Sequence, residues 1–200
     1  MSEERAHRPG RGSSREAFLD TTGRLLRRQG YAASGLNEIV AASGAPRGSL
    51  YFHFPGGKEE LALAAIKRSG QQLRRAMAAA LASETSLADA LGTLIDAMAG
   101  GLRSSGYRDG CPIATVALES ATDSQALRDG ALAAFDSWLE VLERRLGEAG
   151  MTETAARRRA LMILSALEGA LILSRVRQDV GPLQAVREEI VALSDNRDYR

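Results

Sequence analysis

Apolar positions along this chain of 200 residues recur with the spacing of helices rather than strands. Between Ser14 and Gln29, the side chains of Phe18, Thr22, Leu25 and Leu26 fall at i, i+4, i+7 and i+8, one face of a helix that Gly30 is expected to stop. Ser34 is placed to cap the next helix, since its hydroxyl can accept from an orphaned first-turn amide; that helix runs from Gly35 to Ser43. Gly44 then ends it in the left-handed conformation that glycine adopts cheaply. Pro46, with its fixed φ and missing N–H, opens a third helix reaching His53. Two short helices joined by a tight glycine turn form a helix-turn-helix candidate. "FPGGK" turns the chain into a long fourth helix that starts at Gly57 or Lys58 and ends at Leu81.

Further helices are predicted over residues 86–103, 112–120, 124–148, 153–178 and 182–194, divided by "SSGYRDGCP", "EAGMT" and "DVGP". The seventh carries a broad apolar stripe of Leu127, Ala131, Phe135, Trp138, Leu139, Leu142 and Leu146, which needs a partner surface. From Ala160 to Leu173 the eighth is apolar almost all round, so it must be buried on more than one side. The fold class is all-α, with about nine helices.

Composition agrees: 44% of residues are apolar and 26% charged, a mixture that favours helices in a globular chain. The opening "MSEERAHRPGRGSSRE" has no apolar signal region. The longest apolar stretch, Ala160 to Ser174, falls short of the roughly 20 residues that cross a bilayer and holds Glu168. No membrane span and a cytoplasmic location are expected. One cysteine, Cys111, excludes an internal disulfide and cannot alone form a cysteine-type zinc site. The net charge of +1 hides an asymmetry, because residues 1–68 hold 11 Lys and Arg against 7 Asp and Glu, while residues 69–200 hold 15 against 18. A basic N-terminal third points to an anionic partner, nucleic acid above all. Residues 1–13, rich in Arg and Gly and without apolar period, read as a disordered basic arm; Arg8, Arg11 and Arg15 are either solvated or read a minor groove.

The third helix concentrates the candidate chemistry. Leu50 and Phe54 lie four apart and can face the core with Ile39 and Val40, leaving Arg47, Ser49, Tyr51, Phe52 and His53 on other faces. Hydroxyls, an imidazole and aromatic edges suit a major groove, where they meet phosphates, base edges and thymine methyls. The other reading makes Tyr51 and Phe52 core aromatics and His53 an internal hydrogen-bonding group. Gly48, a poor helix former, implies close approach to a neighbouring helix or to DNA. Lys58, at a helix N-terminus, suits a phosphate. Enzymatic chemistry finds no support: His7 and His53 make no triad, and "FPGGKEEL" lacks the Walker pattern. No cofactor and no metal are expected, and the chain is read as no enzyme.

The stretch "SGLNEIVAASGAPRGSLYFHFPGGKEELALAAI", Ser34 to Ile66, resembles the DNA-binding domain of the TetR/AcrR family of transcriptional regulators. Gly48, Ser49, Leu50, Tyr51, His53, Phe54 and Lys58 fit that family's pattern position by position, whereas Pro46, Arg47 and Gly57 stand where other residues are commoner. "APRGSLYFHFPGGKEEL" together with "GCPIATVALE" is similar to the LmrA/YxaF-like branch.

The resemblance implies a helix-turn-helix domain over residues 14–60 and a ligand-binding and dimerisation domain over 61–200. It also implies a homodimer that places its third helices in successive major grooves of a double-stranded, pseudopalindromic operator, about 34–36 Å apart or a multiple of that. DNA contacts would come from Arg15, Ser34, Arg47, Gly48, Ser49, Tyr51, Phe52, His53 and Lys58. A small apolar effector would release the DNA, and Met98, Cys111, Phe135, Trp138, Met162 and Glu168 are candidates to line its pocket. Helices eight and nine would form the dimer contact through Leu161, Leu164, Ser165, Glu168, Leu171, Ile172 and Ile190. Two other readings stay open, a small-molecule carrier of the same fold without specific DNA binding, and an activator or general nucleoid binder.

Overall fold

In the computed structural model, which describes residues 11–195 apart from Thr85 and Ala121, helices follow the predicted periods closely. Among the described residues there are nine and no strand: α1 (Arg11–Ala33), α2 (Leu36–Ser43), α3 (Arg47–His53), α4 (Gly57–Ala82), α5 (Leu87–Ser104), α6 (Pro112–Ser120), α7 (Gln125–Glu148), α8 (Glu153–Arg177) and α9 (Gly181–Asp195). Residues 1–10 of the expected arm, with Arg8, lie outside the described residues, and Arg11 to Ser13 already belong to α1.

Gly30 does not end α1 as expected. The helix kinks there, at φ 81° and ψ −174°, and resumes for one turn to Ala33. The kink also changes the role of Ser34. Its side chain is buried and its hydroxyl donates to the Gly30 carbonyl at 2.6 Å, so Gly35 takes the N-cap position of α2 without a side-chain bond. A carbonyl turned out of the helical ladder needs another donor, and Ser34 is the nearest. Gly44 closes α2 at φ 64°, the left-handed geometry expected of it.

Phe18, Leu26, Ile39, Leu50 and Phe54 are buried at the centre of the three-helix head, with Phe18 and Phe54 edge to face at 6.5 Å between centroids. Leu50 is the buried residue of α3, so this short helix hangs on a single aliphatic anchor plus the flanking Phe54. α4 leaves the head and runs through the molecule, packing on α1, α5 and α7. Gly70 lets α4 and α7 come together, since a β-carbon there would lie 2.9 Å from that of Ala134. The indole N–H of Trp138 donates to the Gly70 carbonyl at 3.0 Å across the same seam. α5 and α8 then pack on α9, and α7 on α8. Ser86, Ser124 and Thr152 accept first-turn amides and fix where α5, α7 and α8 begin. No helix among the described residues is long and apolar enough to cross a membrane.

Candidate nucleic-acid interface and effector cavity

α3 turns one face outward. Tyr51 is 54% exposed and Phe52 66%, Arg47 is exposed and Ser49 half-buried. Large exposed aromatics on a seven-residue helix hold no core together, so the core reading of Tyr51 and Phe52 is set aside. At Gly48 a β-carbon would meet nothing within 4 Å, which removes a neighbouring helix as the reason for glycine and leaves an approach from outside. His53 faces the other way. It packs edge-on against the rings of Phe52 and Phe54, and its Nε2 is buried without a hydrogen-bond partner. Arg15, on α1, is exposed, with its guanidinium 5.7 Å from the Phe54 ring centroid and 3.6 Å from Glu16. Ser34, expected at the DNA, is fully buried.

Lys58 is held within the protein. Its ammonium donates to the Ala32 carbonyl at 3.3 Å and sits 4.3 Å from the Tyr31 ring centroid. Partial burial, and then the charge of Glu59, push the Tyr31 phenol up. Glu59 and Glu60 occupy the first turn of α4, and the Gly56 amide donates to Glu60 at 2.7 Å. Carboxylates already answer that helix end, which leaves it a poor site for phosphate.

The turn at residues 30–34 is gripped from a second direction. Glu119, near the end of α6, takes the place a side chain at Gly30 would fill, and its Oε2 accepts the Ala32 amide at 2.7 Å. At the other end of α6 the preceding loop is bonded to α1. Arg28 Nε donates to Asp109 at 3.1 Å, Arg27 lies 3.6 Å from the same carboxylate, and the Gly110 amide donates to the Arg27 carbonyl at 3.1 Å. Sequence gave no sign of Arg27, Asp109 or Glu119, because their partners are remote in the chain.

Behind that loop lies an apolar cavity of about 300 Å³, walled by α4, α5, α7 and α8. Met98, Cys111, Trp138 and Glu168 line it, together with Leu164, Leu167 and Leu171. Phe135 and Met162 do not. Phe135 stands edge to face on the outer side of Trp138, at 5.4 Å, and Met162 faces outward on α8. Arg27 and Asp109 reach the rim and also line a separate polar groove of about 260 Å³ between α1 and α4. Their ion pair is thus part of the wall between the cavity and the head.

Two titratable groups inside the cavity are displaced. Burial, and then the neighbouring Glu168, push the Cys111 thiol up, the opposite direction to the lowering that a reactive thiolate needs. Burial also raises Glu168, with the Cys111 thiol acting weakly in the opposite sense, and its Oε2 has no hydrogen-bond partner.

α8 has two faces. Leu164, Leu167, Glu168 and Leu171 turn to the cavity at i, i+3, i+4 and i+7. Leu161, Met162, Ser165, Ile172, Leu173 and Val176 turn outward, with Val176 79% exposed. The expected dimer set therefore divides. Leu161, Ser165 and Ile172 are on the open face, but Leu164, Glu168 and Leu171 belong to the cavity side and Ile190 is buried between α9 and its neighbours.

Residues 18–65 match the model for bacterial regulatory proteins of the tetR family, and residues 87–189 that for the LmrA/YxaF-like transcriptional regulator C-terminal domain. The chain belongs to the TetR family of transcriptional regulators. It is 38% identical to the HTH-type transcriptional regulator YxaF of Bacillus subtilis over 92% of this chain and 96% of that one. With the regulator LmrA of the same bacterium the identity is 33%, over 86% and 92%. The fold of a TetR regulator from Legionella pneumophila is similar, with a TM-score of 0.81 at 23% identity over 90% of this chain and 96% of that one. A TetR regulator from Chloroflexus aurantiacus gives 0.76 at 28%, over 91% and 94%. The TetR-family chain is accordingly a DNA-binding regulator and not an enzyme, and α2 and α3 are its helix-turn-helix.

Proposed function

We propose that this regulator is a homodimeric repressor that occupies a pseudopalindromic operator and is released by a small, largely apolar effector. Residues 14–60 read the DNA, and residues 61–200 bind effector and partner subunit. Arg47, Ser49, Tyr51 and Phe52 are the contacts, Gly48 allows the backbone to approach, and Arg15 reaches the flanking phosphates. Such a protein works in the cytoplasm, where its DNA is.

The Arg27–Asp109 pair carries this reading. A cavity of about 300 Å³ is at the lower end of the range for small-molecule sites, roughly 300–1,000 Å³. Its rim is the same loop that is bonded to the back of α1, and Cys111 and Pro112 in its lining lead into α6, which carries Glu119 in its last turn. A ligand that spreads the rim shifts both grips on the head at once, and it favours whichever arrangement it fits better. The open aliphatic face of α8 is the surface for the second copy, since a stripe of this kind needs covering and a twofold contact pairs it with itself.

Fluorescence anisotropy with the chain's own upstream DNA and a scrambled duplex, at two salt concentrations, tests the core of the proposal. A preference of roughly 10³-fold or more, falling steeply with salt, is expected of an operator-binding regulator. Equal and weak binding to both duplexes would overturn operator recognition and favour a carrier. Sedimentation should find a dimer, and the double variant Ile172→Glu with Val176→Glu should be a folded monomer; a monomeric parent protein would reject the α8 contact.

A further inference from the structure

The cavity has one unmet polar demand. Arg27 and Asp109 at the rim answer each other, with Arg28 as a third member, and the Gly110 amide is used on the Arg27 carbonyl. Trp138 has its N–H on Gly70, and the rest of the lining is aliphatic or thioether apart from Cys111 and Glu168. Glu168 Oε2 is buried and unpartnered, and the one side chain that bonds to this carboxyl is the Cys111 thiol, a weak donor. Burial is the main influence on it and the Cys111 thiol the other.

A carboxyl group left in this state inside an apolar wall is costly unless something supplies a donor. A ligand can supply it. Of the two carboxyl groups in the lining, Asp109 at the rim is already answered by Arg27 and Arg28, so Glu168 is the acid left inside without a charged partner. Anions are disfavoured and donors, cationic ones most, are favoured. The volume admits a compact apolar body with one polar end.

We propose that Glu168 is the polar recognition point of the cavity and that the effector class is the apolar amine, its ammonium on Oε2 and its hydrocarbon against Leu164, Leu167 and Trp138. This rests on the effector-cavity reading above and names the chemistry it selects.

The test uses the full-length protein without DNA and three probes of one shape, phenylbutylamine, phenylbutanol and phenylbutyrate. The chain has one tryptophan, and it lines the cavity, so its emission reports occupancy directly. The amine should bind roughly 10-fold or more tighter than the alcohol, and the acid weakest, as expected for a hydrogen bond to a charged group. In Glu168→Gln, a near-isosteric change, the amine should fall to the level of the alcohol while the alcohol is unmoved. Equal binding of all three probes, a preference for the acid, or an amine preference that survives Glu168→Gln would overturn the assignment and leave the cavity reading intact. Silence of the tryptophan with all three would overturn both.

Discussion

The head and the body of this regulator present exposed apolar surface of different kinds. On α3 it is aromatic, Tyr51 and Phe52, carried by a helix of seven residues beside Arg47 and Ser49. On α8 it is aliphatic, Leu161, Ile172, Leu173 and Val176, carried by a helix of 25. Rings with polar edges beside hydroxyl and guanidinium groups suit a surface that is wet and charged, whereas bare aliphatic side chains suit one like themselves. The interiors differ too. The head is filled by Phe18, Leu26, Ile39, Leu50 and Phe54, while the body encloses a cavity. A solid head can present a fixed surface, and a hollow body can be changed by what enters it.

Removing the head's filling should have the largest effect. Phe54→Ala deletes a buried ring and its contact with Phe18, and should cost about 3–5 kcal/mol in urea unfolding, with operator binding lost alongside. A variant as stable as the parent would mean that the head is not held from within. Next comes Tyr51→Ala, which should weaken operator binding by about 1–3 kcal/mol and leave the melting temperature unchanged, because the ring is exposed. Operator affinity equal to that of the parent would end the role given to Tyr51.

Asp109→Ala sharpens the comparison by cutting one of the ties between the two regions. Couplings between ligand sites are typically about 1–3 kcal/mol, and this variant should show a clearly smaller effect of ligand on operator affinity, with ligand binding itself retained. An undiminished effect would place the coupling elsewhere. The smallest change is expected of Lys58→Ala, about 0.5–1 kcal/mol of stability from its carbonyl and ring contacts. The salt slope of DNA binding should stay as it was. A slope reduced by about one would return Lys58 to the phosphate role that the sequence suggests.

Helix boundaries were legible because glycine, proline and N-cap residues mark them by local rules. Gly44 behaves as read, Pro46 stands one place outside the expected start as the extended N-cap of α3, and Ser86, Ser124 and Thr152 cap as such residues do. Ser34 misleads for the same local reason, since a kink four residues earlier offers its hydroxyl a better partner than the amides ahead. The two faces of α8 were not legible. A helix apolar all round has no period to show which residues meet a neighbour, and so Leu164 and Met162 were each expected on the wrong side. Nor could the ties between head and body be seen, for Arg28 and Asp109 are 81 residues apart and Glu119 answers a backbone amide 87 residues away. Only a fold brings such groups together.

Position 30 belongs by sequence to the head and by contact to α6. Glu119 stands in the space a methyl group there would claim, and the backbone at φ 81° admits little besides glycine. A Gly30→Ala substitution would therefore evict a residue of the body without touching the DNA surface. For the ligand-released repressor proposed above, its phenotype should be that of a chain permanently told that its effector has arrived: a constitutive allele written in the reading head, with the message forged at the lock rather than carried by the key.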